Sequence, residues 1–154
     1  MTLLERRGIE AAMLAQTYAV LVARLGRDEA LAVIEDIVRE AAFAAGKAFA
    51  AQAPQGPSLE HFAAVAELWQ AGGALVIENV ARRDNVLSFA ATRCRYAETY
   101  REMGLPEELA TRISCLRDGA FVAGYSDKLR LDRPGTIASG AVSCPFTFTW
   151  NDDA

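Results

Sequence analysis

The chain has 154 residues, of which 52% are hydrophobic and 23% charged, enough apolar mass for the core of one ordinary domain and too much for a disordered polymer. A net charge of −4, with only Lys47 and Lys128 as lysines, argues against nucleic acid as a partner, because phosphate neutralisation needs a basic excess. Three cysteines, at 94, 115 and 144, are too few and odd in number for a disulfide-stapled secreted domain, so free thiols in a reducing, cytoplasmic compartment are expected.

The start of the chain carries Glu5, Arg6 and Arg7, and Glu10, Gln16 and Arg24 interrupt the apolar stretch that follows. Neither a signal peptide nor a membrane span is read there. Ile9, Met13, Tyr18, Leu21 and Leu25 recur at helical spacing and predict a helix over 3–25 with that stripe buried, stopped by Gly26. Asp28 is the expected N-cap of a second helix reaching about Ala51, with Leu31, Ile34, Val38, Ala41 and Ala45 as its stripe. Alanine-rich faces let helices approach closely, so these two are expected to pair as an antiparallel hairpin, and the same surfaces suggest a homo-oligomer. Pro54, Gly56 and Pro57 mark a loop, and Ser58 caps a third helix whose buried side is Leu59, Phe62, Val65, Ala66 and Trp69. Gly72 and Gly73 end it.

The character changes at Ala74. Leu75–Val80 reads as a strand, Arg82–Asn85 as a hairpin turn and Val86–Thr92 as the returning strand. A helix over Tyr96–Met103 ends at Gly104, and Pro106 opens another that runs without a break to about Val122, with Leu109, Ile113, Leu116 and Ala120 on one face. Leu129–Leu131 and Thr136–Ala138 are predicted short strands around Arg133-Pro134-Gly135. Phe146, Phe148 and Trp150 alternate with threonines as a half-buried last strand. The expected fold class is α+β, with N-terminal helices packed on a small antiparallel sheet that has inserted helices. One domain spans 1–154, helical over 1–72 and sheet-containing over 73–154.

Three clusters carry candidate chemistry. Arg93-Cys94-Arg95-Tyr96-Ala97-Glu98 spans a strand-to-helix junction, where two arginines and a helix start would lower a thiol pKa. The plainer reading is a buried cysteine with its arginines in solvent. Cys115 and Asp118 lie three apart and share a helix face, so the carboxylate can exchange a proton with the thiol. Arg112 and Arg117 flank them, Arg112 as a possible charge partner of the thiol. The alternative is a core cysteine beside an exposed aspartate. Cys144 opens the last strand with the side-chain parity of Phe146 and Phe148, and is either a site thiol or one more core residue. The cysteines stand 21 and 29 residues apart with no C-x-x-C pair, and His61 is the only histidine, read as a partly buried surface residue. No metal and no cofactor are expected.

Thr92-Arg93-Cys94-Arg95-Tyr96-Ala97-Glu98, Tyr100 and Gly104-Leu105-Pro106-Glu107 together resemble the L-2-amino-thiazoline-4-carboxylic acid hydrolase family. Ser114-Cys115 with Arg117-Asp118, Phe121, Gly124, Thr136-Ile137 and Gly140-Ala141 leading to Cys144 and Phe146 extend the resemblance over about residues 75–150. It implies a cofactor-free hydrolase that opens a small ring at a C–N, amidine- or amide-like bond. Water would add to the amidine-like carbon of a carboxylate-bearing thiazoline, giving an N-carbamoyl amino acid. The matched positions are Cys94, Tyr96, Glu98, Cys115, Asp118 and Cys144. Cys115 is the expected nucleophile, Asp118 its proton partner and Cys144 a second thiol in the same pocket. Arg93, Arg95 or Arg117 would hold the anionic group, and Glu98 or Tyr96 would orient water or substrate. The chain departs from the family at Pro134-Gly135, where Thr-Gln is usual, and at Ser143 and Pro145, where His and Asp flank the last cysteine. Those departures motivate a rival, a non-catalytic domain sensing a small molecule or a metal. Cys115, Asp118 and Cys144 also resemble the two thiols and one acid of organomercurial lyases. The partner in the leading reading is a small-molecule substrate, with neither nucleic acid nor membrane.

Overall fold

The computed structural model describes all 154 residues. Helix α1 (Leu3–Leu25) opens on a capping box in which the Thr2 hydroxyl accepts from the Glu5 N–H and the Glu5 carboxylate accepts from the Thr2 N–H. Gly26, at φ 86°, turns the chain directly into α2 (Arg27–Ala50) and serves as its N-cap in place of the expected Asp28. The two helices pack on each other. The buried side of α1, however, is Ala11 and Tyr18, flanked by Leu14, Ala15, Leu21 and Val22, while Ile9, Met13 and Leu25 face solvent. Tyr18 and Leu21 of the expected stripe thus turn inward, and the rest of the buried side comes from the neighbouring apolar positions Ala11, Leu14, Ala15 and Val22.

In α2 the buried side begins as expected with Leu31, Ile34 and Val38, then passes to Ala42 and Gly46, leaving Ala41 exposed. The reason is a second partner. Helix α7 (Cys115–Tyr125) crosses α2 so closely that a Cβ on Gly46 would overlap the Phe121 carbonyl oxygen, and one on Gly124 would overlap that of Phe43. The closest approach permitted by small residues is therefore made between α2 and α7.

Ser58 caps α3 (Leu59–Phe62), its hydroxyl accepting from the His61 N–H, and α4 (Val65–Gln70) follows after a break at Ala63-Ala64. A 3₁₀ turn over Ala71–Gly73 delivers the chain to the sheet. Strands β1 (Leu75–Arg83) and β2 (Val86–Cys94) form a hairpin around Asp84-Asn85, longer at both ends than the sequence suggests. Strands β3 (Leu129–Asp132) and β4 (Cys144–Trp150) complete an antiparallel sheet in the order β1-β2-β4-β3. Leu87, Phe89 and Ala91 of β2 and Cys144, Phe146 and Phe148 of β4 face one core, with Phe89 opposite Phe146 and Ala91 opposite Cys144. No helix is long and apolar enough to cross a membrane. The architecture is α+β.

Two local departures shape the site. The single helix expected from Pro106 to Val122 is two, α6 (Glu107–Ile113) and α7, parted at Ser114 (φ −109°, ψ −76°). The Arg117 backbone N–H bonds the Ser114 oxygen, and the Ile113 carbonyl at the break takes a side-chain donor instead, Arg117 Nε at 2.7 Å. Cys115 thereby becomes the first residue of a helix. The strand expected at Thr136–Ala138 is a 3₁₀ turn over Ile137–Ser139, because the Thr136 hydroxyl caps the Ser139 N–H and Gly140, at φ 95°, closes the turn.

Candidate active site

The apolar interior divides into two clusters. One joins the sheet to α3, α4 and α7; the other joins α1, α2, α5 (Arg95–Glu102) and α6. Between them lies a cavity of about 490 Å³ that draws its walls from both. Cys94, Cys115, Cys144 and Asp118 all line it, and so do Tyr96 and Arg117. Strand β2 ends at Cys94, α7 begins at Cys115 with Asp118 one turn on, and β4 begins at Cys144, so three chain junctions converge on one space. No group of three His, Cys, Asp or Glu side chains stands close enough to hold a metal ion. The three thiols stand in the walls of this one cavity.

Arg133 organises this end. It pairs with the Asp118 carboxylate, donates to the Cys115 carbonyl at 2.8 Å, and lays its guanidinium 5.4 Å from the centre of the Phe146 ring. Burial pushes the Asp118 carboxyl up to about 6, against the opposing pull of Arg133 and Arg117. Burial also raises the Cys115 thiol, opposed by the Thr136 hydroxyl and Arg133 but reinforced by Asp118. Cys144 is raised for the same first reason, although its Sγ accepts the Ile137 N–H at 3.1 Å. The resting thiols are protonated and need a base, and Asp118 is the acid residue in the wall beside them.

Of the two readings of the Arg93-Cys94-Arg95 run, the plainer one holds for the thiol's ionisation, although Cys94 does line the cavity. Burial sends its pKa up to about 11, since neither neighbouring arginine reaches it. Arg93 turns outward to bind Glu98 through two hydrogen bonds of 2.8 and 3.0 Å, and Arg95 is exposed. Arg93, Arg95 and Glu98 are thus not brought to the cavity. Arg112 is also spent elsewhere, on Glu35 at 2.9 Å.

The cations that do reach the cavity are Arg6, Arg7, Arg117 and Arg133. Arg117 and Arg7 share Glu10, at 3.1 and 2.5 Å, and Arg133 takes Asp118. Four guanidinium groups against two carboxylates leave the site positive, suited to an anionic ligand. Arg7 and Arg133 are not legible in the sequence. Arg133 sits in a run that reads as a turn, Arg7 lies over a hundred residues before Cys115 and Cys144, and only the fold brings them together. Two polar atoms of wall residues, Tyr96 Oη and Arg133 Nε, are buried without a hydrogen-bond partner, a feature that collects at functional sites.

Arg133→Met is expected to cost about 2–3 kcal/mol of stability, because it leaves a partly buried carboxylate unpaired. It also raises the Asp118 pKa further, as the charged form loses its partner. Urea denaturation at pH 5 and pH 8 checks both effects. The loss should be smaller at pH 5, where Asp118 is protonated; an equal loss at both would show that the pair is not what Arg133 stabilises.

No curated protein matches the sequence. The family described as L-2-amino-thiazoline-4-carboxylic acid hydrolase matches it over residues 6–148, which takes in both helical and sheet parts and every wall of the cavity except Leu3. With that match spanning nearly the whole chain, this protein belongs to the L-2-amino-thiazoline-4-carboxylic acid hydrolase family.

Proposed function

We propose that this chain is a hydrolase that opens a small, carboxylate-bearing amidine ring of the L-2-amino-thiazoline-4-carboxylate type. The observation that carries the reading is the presence of Cys115, Asp118 and Cys144 in the walls of one positive cavity. The Arg7 and Arg117 side chains suit the substrate carboxylate, since a guanidinium matches a carboxylate with two parallel hydrogen bonds.

Cys115 Sγ attacks the amidine carbon while its proton passes to the Asp118 carboxylate. The tetrahedral adduct collapses with rupture of the ring C–S bond. The ring sulfur leaves as a thiolate and takes the proton from Asp118. The carbon is now held as an S-amidinyl group on Cys115. Water then adds to that carbon with Asp118 again accepting a proton, and collapse returns the Cys115 thiol. The sum is substrate plus one water, giving an N-carbamoyl amino acid with a free thiol. For a thiazoline this balance places the scission at C–S, and the ring nitrogen stays bonded to the carbonyl carbon. In a ring whose leaving atom is nitrogen, the same steps open a C–N bond. Cys144 is the second thiol facing the same ligand.

The test is to incubate the purified chain with L-2-amino-thiazoline-4-carboxylate and assay thiol and ammonia together. One thiol per substrate consumed, with no ammonia, is the expected result. Ammonia without thiol would mean loss of the exocyclic amine and would sink the mechanism. Substrate consumed with neither product would mean opening of the ring C–N bond to an S-carbamoyl amino acid, and binding with no substrate consumed would leave the non-catalytic ligand-binding domain.

A further inference from the structure

The cavity is too large and too aromatic for the bare ring. A 2-amino-thiazoline-carboxylate has about nine non-hydrogen atoms, which at no more than the ~30 Å³ share of a liquid water each fill little more than half of the space. The observed volume of about 490 Å³ lies in the range of sites that enclose much larger ligands. The surplus has a definite chemical character. Phe49, Trp69, Phe121 and Phe146 form a continuous aromatic wall, with Phe49 and Phe121 ring centres 5.8 Å apart, Trp69 and Phe121 6.0 Å, and Trp69 and Phe146 5.7 Å. Phe49, Trp69 and Phe121 pack on the core yet stay only half-buried, since the cavity keeps part of each ring uncovered. The wall continues to an apolar rim at Leu68, which is 41% exposed. Arg7, Arg117, Tyr96 and the thiols supply the polar part of the lining.

Resting on the ring-opening reading, we infer that the substrate of this chain carries a bulky apolar substituent, an aryl or branched alkyl group, on the carboxylated ring. The anionic ring sits among the arginines and thiols, and the substituent lies along the aromatic wall toward Leu68. Such a group buries apolar surface against rings that the bare substrate leaves wet. A small polar substrate would gain nothing from four aromatic side chains, whereas a phenyl-sized group gains a binding preference of about 30-fold from its burial.

The experiment compares L-2-amino-thiazoline-4-carboxylate with its 5-benzyl derivative on the full chain, by calorimetric Kd and by thiol release. The benzyl compound is expected to bind about 30-fold more tightly. Trp69→Ala should cut that preference to about fivefold or less, and Leu68→Gln, at an exposed position that folding tolerates, should cut it by about threefold. Equal Kd values for the two compounds in the unmodified chain overturn the inference, as does failure of both to bind. Ring opening of both with equal Kd overturns this inference alone and leaves the hydrolase reading standing. Tighter binding of the benzyl compound with no ring opened upholds the inference and overturns the hydrolase reading.

Discussion

Cys115→Ala is expected to lower kcat/KM for ring opening by about 10³-fold or more, and Asp118→Asn by about 10²–10⁴-fold. The first removes the atom that bonds to the amidine carbon; the second removes the group that takes its proton. Because both residues act in the same step, the double variant should be no worse than about the single alanine variant. The pH profile separates their roles. Asp118 titrates near 6, above the ordinary value of 3.8, because burial penalises its charge. As a base it must be ionised, so activity of the unmodified protein should rise with pH through about 6. At pH 5 roughly nine-tenths of the carboxyl is protonated and cannot accept. Asp118→Asn should retain a small activity without that rise. The sign for stability is the reverse: a raised carboxyl favours the folded state most below 3.8 and loses that contribution as pH rises through 6. Activity should therefore increase over the same interval in which this group's contribution to stability declines. Steady-state kinetics from pH 4.5 to 8 on variants shown to be folded by circular dichroism checks the assignment. Full turnover in both variants would remove Cys115 and Asp118 from the mechanism.

The sequence shows most of the elements and only part of the site. Helix α1, the β1–β2 hairpin, the Ser58 cap and the last strand all follow from local signals: apolar spacing, a polar turn, a hydroxyl before a helix, strict alternation. The cysteines and Asp118 are legible for a similar reason, since each lies at a junction or one helical turn from another. What fails depends on which partner an element finds. Only part of the expected α1 stripe turns inward, and the choice of Ala11 over Ile9 and Met13 is made by the crossing helix. The break at Ser114 carries neither proline nor glycine, and the Ile113 carbonyl it frees is satisfied by the Arg117 side chain, which no local pattern announces. Arg93 and Arg95 sit beside Cys94 in sequence but point away from it, whereas Arg133, eighteen residues after Cys115, bonds its carbonyl. Adjacency in sequence predicts charge contacts poorly where a strand or helix turns neighbours to opposite sides.

Gly46→Ala and Gly124→Ala are each expected to destabilise the fold by at least about 3 kcal/mol, a large share of a stability of roughly 5–15 kcal/mol. The obstacle in each case is a backbone carbonyl, of Phe121 or of Phe43, which cannot rotate aside as a side chain can. Relief requires α2 and α7 to separate. One separation relieves both clashes, so the double variant should cost clearly less than the sum of the two. Gly119 supplies the contrast on the same helix. Nothing lies within 4 Å of a Cβ placed there, so Gly119→Ala should stabilise the fold by about 0.5–1 kcal/mol through helix propensity alone. Urea denaturation midpoints of the four variants check the set. Losses at Gly46 and Gly124 no larger than the change at Gly119 would mean that the two helices do not cross as closely as described. The crossing also sets the cavity, because α7 carries Cys115, Asp118 and Phe121 while α2 carries Ala42, Ala45 and Phe49. Driving the helices apart widens the space between thiol and aromatic wall. Any Gly124→Ala protein that still folds should therefore lose turnover well below its unfolding midpoint, since a misplacement of about 1 Å at the reacting atoms can cost on the order of 10²-fold in rate.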